Sequence, residues 1–333
     1  MKRELLAGAG IFLSLCICGA AQAEVGKASA GPGEWFLGFT VGGGGLWGTE
    51  HEAYLRDNSS SGRPANFDKG HFISGGAEIG YRLENQDGWF DRVEFNLDLG
   101  RLSRRIDRDT SSALFAIAES GDDWLLFGPS NFFSPQLRAD GEEKTTGIET
   151  RLSFKSMLLD TEDYAIVASV EPFFRHQDTG SLVEVTWSEA PDRNYGRRRD
   201  DVDAEYYGLQ VALEMEKPLS DSLSLVGRAA AGAYYVTSEI GSTAQAFNNP
   251  DTTISVDANE WGGRFGGALG FKVPLFYKGA SLTLLGTVDY MTDVATIDHI
   301  PMFRRPPPPE LTKAAFDDQL EVGGKIGLVF PLR

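Results

Sequence analysis

Residues 89–100 read Trp89-Phe-Asp-Arg-Val93-Glu-Phe-Asn-Leu-Asp-Leu-Gly100, and their alternation decides the fold. Val93, Phe95, Leu97 and Leu99 hold the odd positions, while Arg92, Glu94, Asn96 and Asp98 hold the even ones. A period of two belongs to a β-strand, whose successive side chains point to opposite faces. One face of this strand is apolar and the other is charged. The pattern recurs along the chain. Ile148, Thr150, Leu152, Phe154 and Leu158 alternate with Glu149, Arg151, Ser153 and Lys155. Tyr207, Leu209, Val211, Leu213 and Met215 oppose Gln210, Glu214 and Glu216, and Leu320, Val322, Ile326, Leu328 and Phe330 oppose Glu321 and Lys325.

Ten such segments are predicted, at 35–47, 70–83, 89–104, 145–158, 164–177, 204–217, 222–238, 259–273, 279–292 and 317–331. The connections alternate between short (84–88, 159–163, 218–221, 274–279) and long (48–69, 105–144, 178–203, 239–258, 293–316). Short turns at one end and long loops at the other predict an all-β, antiparallel up-and-down transmembrane barrel. An even strand number puts both termini at the short-turn end; twelve strands is the alternative count. A soluble β-sandwich also alternates, but its dry core would not tolerate a charged face. Trp35, Tyr81, Trp89, Tyr164, Phe271 and Phe330 are assigned to one membrane interface. Trp47, Phe174, Tyr207, Tyr235, Trp261 and Tyr290 are assigned to the other. Amphipathic rings favour both levels.

The chain has 333 residues and a formal net charge of −17. Its start has the form of a secretory signal peptide: Lys2 and Arg3, an apolar run from Leu5 to Gly19, and Ala21-Gln22-Ala23 as cleavage site. The only two cysteines, Cys16 and Cys18, fall inside it. The expected mature chain therefore has no disulfide framework, thiol catalyst or cysteine zinc site. Leu15 and Ile17 precede the cysteines, where lipid-modification sites usually carry a small residue. Strong acidity argues against a nucleic-acid partner. Past the signal no apolar run approaches the roughly 18 residues of a membrane helix.

With its signal peptide, its hairpins and Gly-rich aromatic strands such as Trp261-Gly-Gly-Arg-Phe-Gly-Gly-Ala-Leu-Gly-Phe271, the chain resembles the bacterial outer-membrane β-barrel proteins as a class. The resemblance implies residues 1–23 as signal peptide, 24–34 as a periplasmic segment and 35–333 as barrel. It implies the outer membrane of a Gram-negative cell, contact with lipid and lipopolysaccharide, insertion by the barrel-assembly machinery, and a monomer. Members of the class mostly end on an aromatic residue; here Pro331, Leu332 and Arg333 follow Phe330. Ten strands also suggest the omptin surface proteases and the Opc-type adhesins. The omptin pattern, an Asp pair in one loop and a spaced Asp/His pair in another, does not carry over. The fourth long loop has Asp251 and Asp257 without histidine, and Asp298 and His299 are adjacent.

The predicted inward face carries nine acids (Glu78, Glu94, Asp98, Glu149, Glu171, Glu214, Glu216, Asp289, Glu321) and nine bases (Arg82, Arg92, Arg151, Lys155, Arg175, Arg228, Arg264, Lys272, Lys325). Charges in a narrow barrel are costly unless paired, so a lumen closed by salt bridges is expected. A narrow polar channel is the alternative, because many glycines also point inward.

The second long loop carries Phe115, Trp124, Phe127, Phe132 and Phe133. A short helix from a Ser111 or Ser112 cap through Glu119 is predicted there. A local mini-core, a lid and a partner-binding patch are the competing readings. Arg197-Arg-Arg-Asp-Asp201 reads as a solvated loop tip, or else as a site for anionic headgroups or glycans. Pro306–Pro309 favours a stiff polyproline II spacer. The acidic loops imply a solvated surface, with divalent cations between lipopolysaccharide phosphates as the sharper alternative. His51, His71, His176 and His299 all fall at the outer end without metal-ligand spacing. No catalytic residue, metal or cofactor is nominated. The expected role is structural, or surface interaction with an extracellular ligand through the long loops. A narrow porin-like channel and a surface hydrolase are the alternatives.

Overall fold

The computed structural model describes residues 33–48, 52–53, 55–57, 65–66, 70–83, 89–110, 113–120, 123–127, 137–187, 190–246, 252–275, 279–299 and 312–332. The stretch 1–23, expected to be a signal peptide, and nearly all of the segment 24–34 lie outside the described residues.

Ten long strands close a barrel: β1 (Trp35–Gly48), β5 (Gly70–Arg82), β6 (Arg92–Thr110), β9 (Leu137–Asp160), β10 (Ala165–Trp187), β11 (Ala190–Ser220), β12 (Leu223–Ala246), β13 (Thr252–Pro274), β14 (Ser281–His299) and β15 (Thr312–Leu332). Each pairs antiparallel with its chain neighbour, and β1 closes the ring on β15 from Trp35↔Leu332 to Gly48↔Gln319. Five short strands lie outside the ring: β2 (Glu52–Ala53), β3 (Leu55–Asp57), β4 (Ala65–Asn66), β7 (Ala113–Ser120) and β8 (Asp123–Phe127). β2 pairs with β4, and β3, β7 and β8 form a three-stranded sheet.

At the terminal end the connections are tight. Thr161 N–H donates to Tyr164 O (3.0 Å), residues 221–222 turn β11 into β12, and Gly279 takes a left-handed φ of 79° in the turn before β14. At the other end the strands run far past the predicted limits. β11 has 31 residues, or about 100 Å of extended chain, whereas about 9–11 residues cross a bilayer. The stretch 105–144, expected to be loop, is strand at both its ends, as β6 and β9. The helix expected after Ser111 or Ser112 is instead strand β7, hairpinned to β8.

The molecule is inside out relative to a soluble protein. Phe39, Val41, Ile73, Phe95, Leu99, Ile148, Leu209, Val211, Leu213, Phe265, Leu269, Leu284 and Val288 are exposed. Arg92, Glu94, Lys155, Glu171, Glu214, Arg264 and Lys325 are buried in the interior. Water would penalise such an exterior, and hydrocarbon would not. None of this requires a helix, and no described helix is long and apolar enough to cross a membrane.

Candidate functional site

The lumen is the densest concentration of charge. Alternation delivers each side chain, and register brings the partners together. Arg92 pairs with Glu94 (3.3 Å), Lys155 with Glu94 (2.7 Å) and Glu214 (3.0 Å), and Arg228 with Glu214 (2.8 Å) and Glu171 (2.6 Å). Glu171 also accepts from Ser169 Oγ (2.6 Å) and Gln210 Nε2 (2.5 Å). Arg151 reaches Glu171 (3.7 Å), Asp98 (3.7 Å) and Glu149 (3.9 Å). Lys325 holds Asp98 (3.0 Å), and Arg264 holds Glu149 (3.0 Å) and Asp289 (2.5 Å). Lys272 and Glu216 form a separate pair (3.1 Å). Glu78 is buried on β5, and Arg82 lies half-buried at its end.

Several of these bridges cross the barrel rather than follow its wall. Arg175 on β10 meets Glu321 on β15 at 3.6 Å, although four strands separate β10 from β15 on either side. The β13–β9 pair Arg264–Glu149 also crosses, with three strands between its members one way round and five the other. Opposite walls that touch through two side chains leave no wide pore between them.

Above this layer the polarity of the wall inverts. On β11, Val202, Ala204 and Tyr206 point inward, while Asp201 and Asp203 face out. Tyr234, Val236 and Ile240 continue the inner apolar face on β12. Val294, Ala295 and Ile297 of β14 pack onto it, with Phe316 of β15 at its edge. Tyr206 and Tyr234 meet edge to face at 5.4 Å. Ala295 N–H donates to Tyr206 Oη (3.3 Å), and Tyr234 Oη donates to the Thr292 carbonyl. This apolar stopper was missed in the sequence because the strand criterion sought apolar residues on the outside only.

A recess remains on the β6–β9–β10 side. It is small, with a cavity volume of about 70 Å³, and is lined by Ser74, Asp98, Glu149, Arg175, Gln177 and Glu321, among others. Gly100 and Gly147 stand opposite each other on its wall. Ser74 Oγ and Glu149 Oε1 have no hydrogen bond from the protein.

The outer wall has its own order. Phe174, Tyr207, Tyr235 and Trp261 stand in register on β10–β13, with ring contacts of 5.2 Å for Phe174–Tyr207 and 5.2 Å for Tyr235–Trp261. Tyr290 packs on Phe265, and Trp47 is exposed near the end of β1. At the terminal end Trp35 packs on Tyr81 (4.8 Å), Trp89 and Phe271 are exposed, and Phe330 is half-buried. Two register steps past Tyr207, Asp178↔Asp203↔Glu239↔Asp257 form a row of directly opposed acids. All four are exposed. Only His176 approaches the row among the described ion pairs, at 3.4 Å from Asp203.

The arginine run is not a solvated tip. It lies in β11, and alternation splits it between the two faces. Arg198 and Asp200 are buried and paired at 3.0 Å, and Ser181 and Ser242 also bond Asp200. Arg199 and Asp201 are exposed and paired at 3.0 Å; the bond to Asp201 raises the Arg199 pKa. Further out, the hydrogen bond from Lys144 (2.7 Å) lowers the Glu142 pKa.

The second-loop aromatics are only partly placed. Phe115 stands opposite Leu55 and Phe127, and Trp124 opposite Glu119. β7 approaches β11, β12 and β13 on the far side of the mouth. Phe132 and Phe133 lie outside the described residues, as do Asp251, His51 and Pro306–Pro309. Asp298 and His299 end β14 opposite Lys313 and Thr312. His71 and His176 stand on strands β5 and β10, with β6 and β9 between them. Among the described residues no group of three or more His, Cys, Asp or Glu could hold a metal ion.

No protein-family model matches the chain, and no curated protein matches it. Solved structures similar to it include the outer-membrane protease OmpT from Escherichia coli, with 10% identity, a TM-score of 0.47, and 93% of this chain and 100% of that chain covered. The translocator domain of the autotransporter NalP from Neisseria meningitidis is 11% identical, with a TM-score of 0.36 over 99% and 93%. The outer membrane protein OprG from Pseudomonas aeruginosa is 10% identical, with a TM-score of 0.27 over 92% and 100%. The closed ten-stranded ring with an apolar exterior is the architecture of the bacterial outer-membrane barrels.

Proposed function

We propose that the protein is a closed outer-membrane barrel of a Gram-negative cell that acts at the cell surface, through the wall and loops beyond the membrane. The carrying observation is the lumen: Arg175 and Glu321 meet across it at 3.6 Å, and the apolar stopper lies above them. A solute would have to break both layers, and each buried pair broken strands a charge. The long outer strands, by contrast, raise a rigid, mostly acidic wall well clear of the bilayer. Such a wall suits contact with other macromolecules, with lipid and lipopolysaccharide around its base. Insertion by the barrel-assembly machinery as a monomer completes this reading.

A narrow channel for ions or small solutes is the second reading, and the recess beside Gly100 and Gly147 is what favours it. Planar-bilayer recording of the refolded chain separates the two. Membranes that stay silent with a heat-modifiable, folded barrel support the closed reading. Discrete conductance steps that change selectivity in Arg175→Met or Glu321→Gln support the channel.

A further inference from the structure

Beyond the level of Arg264 the barrel wall is not continuous. β13 and β14 pair from Pro274↔Ser281 to Arg264↔Met291. Past that point residues 252–263 of β13 pair only with β12, and residues 294–299 of β14 pair only with β15. The cause is local. Thr292 and Asp293 form a bulge in β14, with Asp293 at φ 58°. Past the bulge β14 keeps its ladder with β15 but not with β13, and Val294, Ala295 and Ile297 are buried in the stopper. From the exposed Trp261 outward β13 has no hydrogen-bonded strand on this side among the described residues, although β15 and β7 both come near it.

Strand geometry determines what that edge offers. Gly263 N–H points toward β14 and donates to Thr292 Oγ1 (2.8 Å). Ala258 O points the other way and accepts from Ser238 on β12 (3.4 Å). Odd-numbered residues of β13 therefore turn their main-chain groups to the open side. Trp261 N–H is capped by Glu260 Oε1 (3.0 Å). The N–H and C=O groups of Ser255, Asp257 and Asn259 face the slot with no strand opposite them among the described residues.

The borders of the slot are acidic. Asp257 and Glu260 are exposed on β13, Asp293 is half-buried at the bulge, and Asp318 of β15 is exposed and accepts from Tyr290 Oη. Residues 252–263 and 292–299 contain no lysine or arginine; Lys313 of β15 stands opposite Asp298.

We propose that this edge docks an extended polypeptide segment rich in lysine or arginine, which adds as a strand along Ser255–Asn259. An added strand gains affinity through main-chain hydrogen bonds, and its basic side chains would meet Asp257, Glu260, Asp293 and Asp318. Complementary charge selects the partner. The same carboxylates exclude a second copy, because edge-to-edge pairing of two β13 strands would oppose acid to acid. Charge on an edge strand is the usual guard against such pairing. The proposal rests on the surface-acting reading above and names the chemistry of its partner.

The test uses the full refolded barrel in detergent and three labelled nine-residue peptides. One alternates lysine with valine, a second has the same charge but a central proline, and a third alternates glutamate with valine. Fluorescence anisotropy should show binding of the first, with the second at least tenfold weaker and the third not bound. Asn259→Pro removes one edge N–H and should cost at least tenfold in affinity while leaving heat-modifiable migration unchanged. Asp257→Asn with Glu260→Gln should weaken binding and flatten its salt dependence. Equal binding of the first two peptides, no effect of Asn259→Pro on a folded barrel, or no binding at all overturns the docking site. A conducting barrel overturns the surface-acting reading instead, so the two failures are distinguishable.

Discussion

Single residues carry two kinds of constraint here. The first is charge balance. Arg228 serves both Glu171 and Glu214, and all three are buried. Arg228→Met is expected to cost about 3–5 kcal/mol, the usual penalty for stranding a buried charge. Adding Glu171→Gln should recover part of it, read as a shift of the urea midpoint in detergent. A double variant no better than the sum of its parts would show that the pair does not act as a unit. The second constraint is space. A Cβ at Gly270 would collide with the Leu284 carbonyl, which is backbone and cannot rotate away. Gly270→Ala should destabilise by about 1–3 kcal/mol, the range for overpacking. At Asp293 the conformation itself is the issue, since φ is 58°. Asp293→Gly should hold or raise stability, and Asp293→Val should lower it by about 1–2 kcal/mol. Equal unfolding midpoints for the glycine and valine variants would show that the bulge does not need the left-handed conformation.

At the scale of strands, the polarity inversion explains both what the sequence revealed and what it hid. Between the aromatic levels the outward face is apolar and the inward face charged, so Val93–Leu99 and Leu209–Met215 were legible as membrane strands. Beyond Tyr207 the hydrogen-bond ladder continues, but Asp201 and Asp203 now face outward and Val202 and Ala204 inward. A strand criterion tied to an apolar exterior stops there, although the alternation does not. The same blindness hid Arg198 and Asp200 as an interior pair. The inward turn of β14 was not legible, because the alternation around Thr292-Asp293 does not show the register shift or the left-handed φ of Asp293 that make the bulge. The acid row is the element-scale liability: like charges directly opposite are destabilising by roughly 0.2–1 kcal/mol each. Glu239→Gln should therefore raise thermal stability at low ionic strength, with the gain fading at about 1 M salt, where screening reaches a few ångströms. A gain that persists in high salt would point to some other cause. β7 and β8 pair with β3 and not with the barrel. Deleting residues 111–134 should then leave heat-modifiable migration intact, and its loss would show that the barrel needs this sheet.

For the whole molecule, the ring of ten strands follows from patterns spread along the entire chain, whereas its closure rests on pairing between the two ends of the described chain, as in Trp35↔Leu332, and on lumen contacts such as Asp98–Lys325. The equal number of inward acids and bases indicated that pairing was possible, but not which charge would meet which across the lumen. Two dissimilar layers now block the same passage, a salt-bridge network below and an apolar stopper above. In the proposed reading, their combination is what makes the protein a surface-acting barrel and not a channel. Planar-bilayer conductance of the refolded chain tests this most directly. The account predicts no stable conductance from the native barrel, with channel activity appearing only when Arg175→Met and Glu321→Gln are combined with removal of the Val294–Ile297 packing. A large, steady conductance from the unmodified protein would contradict it.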